Sequence, residues 1–164
     1  MASTKDFAID LTEQEKQQML RWFESFSLEQ NWVLSSYLDV VRKKAGDNII
    51  KEGAIEDYMG IIVDGSVEIS KNKEDGTHKV LAELTPPHSL GEMSMIDSLP
   101  RSANAIALTD TTMLILTNEG FKKMVVENSD LAIKLLIKIH KMVNQRLRAT
   151  TGVFIDSLSK AANT

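Results

Sequence analysis

The chain has no cysteine, so neither disulfide staples nor thiolate catalysis belongs to its chemistry, and a reducing cytoplasm is the setting it allows. Histidine is nearly as scarce. His78, His88 and His140 stand far apart without metal-ligand spacing, so no metal site is expected, nor a metal-dependent barrel enzyme. Ser94, Ser98 and Ser102 lack a histidine–acid pair nearby and a nucleophile-elbow context, so nucleophilic catalysis is not expected and the chain reads as a non-enzyme. Long apolar runs are missing: the richest stretch, LAIKLLIKIHKMV, is interrupted by lysines and has helical period, and MASTKDFAID holds no run of signal-peptide length. An excess of positive charge is missing as well. Nineteen Lys and Arg stand against 23 Asp and Glu, for a net charge of −4. A duplex-DNA reader gains most of its affinity from cationic contacts to phosphate, so this balance argues against DNA binding. The expectation is a cytoplasmic protein with no membrane partner.

What is present suits one domain of 164 residues with a sizeable core, 43% of the residues being hydrophobic. After a loose lead-in over residues 1–10, Thr12 and Glu15 form a capping box that predicts a helix to about Ser25; Ser27 and Gln30 predict a second, carrying Trp32, Val33 and Leu34. From 37 the texture changes to short β-branched runs separated by glycines. Asp64-Gly65, between IIV and SVEIS, predicts a two-residue hairpin. Residues 72–77 predict a further turn, KVLAEL a further strand, and NAIAL and TMLIL two more around Thr109-Asp110. Short strands at this spacing suggest a sandwich or small barrel. Helical period returns at 117: Asn118 is placed to cap a short helix with Phe121, Met124 and Val125, and Ser129 or Asp130 starts a long helix to about Thr150. Leu135, Leu136, Ile139, Met142, Val143 and Leu147 line one side of it. They either cover the β-roll or form a two-helix dimer seam, since the spacing is near-heptad.

Residues 89–105, SLGEMSMIDSLPRSANA, carry the chemistry. Gly91 lets backbone approach a ligand closely after a strand-to-helix turn. Met93 to Ile96 would make one helical turn with free N–H groups toward an anion, and Arg101 adds a cation with a planar fork suited to an exocyclic phosphate. Glu92 cannot bind phosphate but can accept a hydrogen bond from a sugar hydroxyl. Together these describe a sugar-phosphate pocket. Met93, Met95 and Met113 are expected to fill core space.

SLGEMSMIDSLPRSA resembles the phosphate-binding cassette of cyclic-nucleotide-binding domains, the family of the bacterial catabolite activator, the regulatory subunits of cyclic-AMP-dependent protein kinase and cyclic-nucleotide-gated channels. AGDNIIKEGAIEDYMGIIVDGSVEIS is similar to the family's upstream strands, with Gly46, Glu52, Gly53 and Gly65 in the expected places, and FKKMVVENSDLAIKLLIKIHKMVNQRLRAT to its closing helices. The likeness covers about residues 28–150. It departs at Pro87-His88, where the family has Gly-Asp/Glu, and at Leu90, where it has phenylalanine; Pro86-Pro87 is expected to reshape the strand that feeds the pocket, since proline cannot donate to a ladder.

The resemblance implies a mainly β fold, a double-stranded β-helix (jelly-roll-like β-roll) with N-terminal helices and a long C-terminal helix. It divides the chain into a lead-in and helix over 1–27, a cyclic-nucleotide-binding domain over 28–150 and a tail over 151–164, too short for the helix-turn-helix of the family's DNA readers. It implies that Glu92 binds the ribose 2′-hydroxyl, that Arg101 pairs with the cyclic phosphate, and that Gly91, Met93, Ser102 and Ala103 complete the ligand site. Ser102 leans to cyclic AMP, since members preferring cyclic GMP often have threonine there. Arg146, Arg148, Thr150 and Phe154 are the candidates for covering the base. The implied ligand is cAMP or cGMP, with no other cofactor. The output is helix movement felt by an unidentified effector protein, or a homodimer through the C-terminal helix. The alternative is a degenerate fold serving as a structural or interaction module without ligand.

Overall fold

The computed structural model describes residues 7–162. Both capping boxes form. Thr12 accepts from the Glu15 amide while the Glu15 carboxylate takes the Thr12 amide, starting α1 (Glu13–Trp22); Ser27 and Gln30 do the same for α2 (Leu28–Ser35). The first helix stops short of Ser25 because Phe23 and Phe26 turn inward. Phe23 stacks edge-on with Trp22 and with Phe26, at 4.6 and 5.5 Å between centroids. Burying aromatic rings of this size favours the turn over another helical residue.

Among the described residues eight strands follow: β1 (Asp39–Lys43), β2 (Asn48–Ile50), β3 (Tyr58–Asp64), β4 (Val67–Asn72), β5 (His78–Leu84), β6 (Ser89–Leu90), β7 (Asn104–Ala107) and β8 (Thr111–Thr117). They form two antiparallel sheets of order β1-β8-β3-β6 and β2-β7-β4-β5. Ile50, Ile62, Val67, Leu90, Ala105 and Met113 share one buried core drawn from both sheets, and each large apolar side chain so buried is worth about 1.5–3 kcal/mol. α1 packs against β3.

Asp64-Gly65 is not a hairpin. β3 and β4 lie in different sheets, and the chain crosses between them at Gly65-Ser66. The β7–β8 corner holds that crossing: the Ser66 amide donates to Thr109 Oγ1 at 3.0 Å, and the Ser66 carbonyl accepts from the Leu108 amide at 2.9 Å. The 72–77 turn is a true hairpin, joining β4 to β5, with the Lys73 amide on the Thr77 carbonyl at 2.7 Å.

Two helices close the described residues, α4 (Asn118–Glu127) and α5 (Ser129–Ala162). Thr117 rather than Asn118 caps α4, its Oγ1 accepting from the Gly120 amide at 3.0 Å. α5 runs well past Thr150. Thr150, Thr151 and Ser157 satisfy their hydroxyls on the carbonyls four residues back, and the helix crosses Gly152 without a break. The chain resolves into two compact units, one ending at Met124 and one beginning at Val125.

Candidate functional site

The site is built on the step from β6 into a short helix, α3 (Glu92–Asp97). β6 pairs with β3 through Gly60↔Leu90 and Ile61↔Ser89, which fixes where that helix begins. Pro86 and Pro87 do not disturb this ladder. They sit in the turn before β6, where the His88 amide donates to the Thr85 carbonyl at 3.0 Å and the Ile62 amide to the His88 carbonyl at 2.8 Å.

Gly91 takes a left-handed conformation, φ +78°, at the head of α3. Glu92 follows, 4% exposed, and the Ser89 hydroxyl donates to its Oε1 at 2.5 Å. The far side of α3 is tied down by Asn118, whose buried Nδ2 donates to the Met95 carbonyl at 2.7 Å. Met95 and Met113 are core residues as expected, but Met93 is not: it is 57% exposed, on the outer face of α3.

Arg101, 3% exposed, returns to this corner from the loop after α3. Its backbone is fixed by the 51–57 loop, the amide donating to the Ala54 carbonyl at 2.9 Å and the carbonyl accepting from the Gly53 amide at 2.8 Å. Its Nη1 donates to the Gly91 carbonyl at 3.1 Å. One face of the guanidinium lies over the Tyr58 ring, with Cζ 4.4 Å from the centroid. The Glu56 carboxylate approaches Nε at 3.9 Å, too far for a hydrogen bond. Nε and Nη2 are buried and make no hydrogen bond. They form one edge of the guanidinium, the edge that grips a two-oxygen anion in parallel. A buried cation with two idle donors is costly on its own, and an anion seated on that edge removes the cost.

Gly91, Glu92 and Arg101 therefore meet at one corner. Ser102 is exposed, Ala103 is half-buried, and Lys71 Nζ holds the Ser102 carbonyl at 3.0 Å. Arg146, Arg148, Thr150 and Phe154 fall on exposed turns of α5, in the second unit. Among the described residues, no group of three or more His, Cys, Asp or Glu is placed to hold a metal ion, and no helix is long and apolar enough to cross a membrane.

Tyr58, Glu56 and Ser89 had no expected role at this corner, and Asn118 was expected only as a helix cap. Ser89 had a local signal, a hydroxyl three residues before the acid at a helix start. Tyr58, Glu56 and Asn118 had none, because they reach the corner through pairing of distant strands.

The chain has relatives that bear on this corner. The family model of the cyclic nucleotide-binding domain matches residues 40–128, more than half of the chain. A CRP-like cAMP-activated global transcriptional regulator of Mycobacterium tuberculosis is 25% identical over 123 residues, 75% of this chain and 53% of that protein. A cAMP-dependent protein kinase regulatory subunit of Aspergillus fumigatus is 31% identical over 91 residues, 56% of this chain and 21% of that protein. A cyclic nucleotide-binding domain from Methylobacillus flagellatus superposes with a TM-score of 0.78 at 26% identity, covering 85% of this chain and 83% of that one. The chain spans about half the length, or less, of the curated relatives it matches. With the β-roll and the cassette corner both in place, the chain belongs to the cyclic nucleotide-binding domain family.

Proposed function

We propose that the chain is a regulatory sensor module that binds a 3′,5′-cyclic nucleotide, cyclic AMP in preference to cyclic GMP, and acts through binding rather than chemistry. The observation that carries this reading is the idle, buried Nε–Nη2 edge of Arg101. A cyclic phosphate presents two exocyclic oxygens and one negative charge, which match that edge in number and sign. Glu92, buried next to the Gly91 that holds Arg101 and aligned by Ser89, accepts the ribose 2′-hydroxyl. Gly91, Met93, Ser102 and Ala103 bring backbone to the phosphate, and Arg146, Arg148, Thr150 and Phe154 are the residues to test for covering the base. Two relatives carry cAMP in their names, and Ser102 stands where threonine would favour guanine.

A ligand shifts a conformation only by binding one arrangement more tightly than another. Asn118 links α3 to the start of α4, so a phosphate that fixes α3 also biases α4, and through it the helix that follows. The partner we propose is a second copy. Leu135 and Ile139 are buried, but Ile133, Ile137, Leu147, Phe154 and Leu158 are each at least half exposed and fall on a single four-three repeat along α5. Such a repeat, with His140, Asn144 and Thr151 at its polar positions, suits a two-helix seam, here carried by a cytoplasmic dimer.

Calorimetric titration of nucleotide-stripped protein with cyclic AMP and cyclic GMP tests the reading. Tight binding that Arg101→Ala abolishes is the expected result. Folded protein that takes up neither nucleotide overturns it and leaves a β-roll acting through its surface alone.

A further inference from the structure

Arg101 is held without spending the donors a ligand needs. Gly91 takes Nη1, and the Glu56 carboxylate stops 3.9 Å short of Nε. Glu56 therefore contributes only a long ion pair, and the face of Tyr58, 4.4 Å from Cζ, supplies the close support. An acid in that place would bond Nε and Nη2 and compete with any incoming anion. An aromatic face attracts the cation through its quadrupole and accepts no N–H bond in the guanidinium plane. Tyr58 is itself fixed at both ends: its backbone pairs with Thr117 at the start of β3, and its phenol donates to the Ile49 carbonyl at 2.7 Å.

We infer that Tyr58 is a positioning residue of the anion site, its ring face being the platform that supports the Arg101 cation and keeps its Nε–Nη2 edge turned to the ligand. The inference rests on reading Arg101 as the phosphate ligand. It assigns Tyr58 a share of selectivity for a charged nucleotide over an uncharged nucleoside, because the ring acts only through the cation.

Stepwise fluorinated phenylalanines at position 58 keep the ring's shape and weaken its quadrupole, so they test the face and not the packing. Tyr58→Phe removes only the phenol. Binding of cyclic AMP and of adenosine is measured for each variant, with thermal melting as the folding control. Tyr58→Phe is expected to hold cyclic AMP within about threefold of the unaltered protein. Relative to Tyr58→Phe, increasing fluorination should weaken cyclic AMP progressively, to a total on the order of tenfold as expected of a desolvated cation–π contact, with adenosine affinity and melting unchanged across the series. A flat fluorination series, in protein whose binding Arg101→Ala still abolishes, overturns the inference and leaves the sensor reading standing. Unaltered protein that binds no cyclic nucleotide overturns both.

Discussion

Gly91 and Arg101 are fitted to each other. The Gly91 carbonyl accepts Nη1–H at 3.1 Å, and a Cβ added to Gly91 would stand 2.5 Å from that same nitrogen and 2.9 Å from the Tyr58 carbonyl. The glycine is therefore needed twice, for its φ of +78° and for its missing side chain. Gly91→Ala is expected to lower stability by about 1–3 kcal/mol from the strained backbone and to cost cyclic AMP more than tenfold in affinity by displacing the fork. Thermal melting and titration on one sample check both.

Glu92 divides the site into a sugar half and a phosphate half. Glu92→Gln keeps the shape and replaces one acceptor oxygen by a donor, so a ribose hydroxyl there loses on the order of tenfold to a hundredfold in binding. The loss should vanish with the 2′-deoxy analogue. Unaltered protein should prefer the ribose form and Glu92→Gln should bind both alike, which parallel titrations read directly.

Asn118 serves α3 rather than its own helix. Asn118→Ala strips the partner from the buried Met95 carbonyl and is expected to destabilise the protein by about 1–3 kcal/mol. Hydrogen exchange should show α3 amides losing protection beyond the global change, because the bond at 2.7 Å is their tie to α4.

Much of this was legible in the sequence where a signal is local. Capping at Thr12 and Ser27, the 72–77 hairpin and the Gly91–Glu92 step are written in neighbouring residues. Asp64-Gly65 misled because a tight turn reads alike whether its strands pair or part; Gly65-Ser66 parts them because the β7–β8 corner supplies the bonds. Asn118 misled because two potential caps stand side by side and a distant carbonyl claims one. Tyr58 could not be foreseen, since its place under Arg101 depends on the register of β3 and the return of the cassette loop.

Tyr58 also sets a pH limit. Burial, followed by the Glu56 carboxylate, raises the phenol above the ordinary tyrosine value of 10.0. A group raised in the folded state contributes stability that is complete below the unfolded value and lost as pH climbs through the folded one. The phenol's support is therefore constant at neutral pH and fades only in strong alkali. Tyr58 should give a rise in tyrosinate absorbance above the ordinary value, and Tyr58→Phe should remove it. A Tyr58 transition at or below the ordinary value would contradict this.

The exposed repeat on α5 is expected to hold two copies together. Leu147→Glu, at a position 61% exposed, should leave folding and nucleotide binding intact and shift sedimentation from dimer to monomer. Unaltered protein that sediments as a monomer at every concentration, with and without cyclic AMP, would remove the self-association reading.

The most direct test of the account watches the Arg101 fork itself. Nitrogen-15 NMR of the arginine side chains, assigned through Arg101→Lys, follows the Nε–H signal as cyclic AMP is added. Capture of the phosphate on the idle edge is expected to move that signal strongly downfield and slow its exchange with water, while the signals of Arg146 and Arg148 move less. An Arg101 signal that stays in place while cyclic AMP binds would show that the phosphate sits elsewhere and would contradict the account.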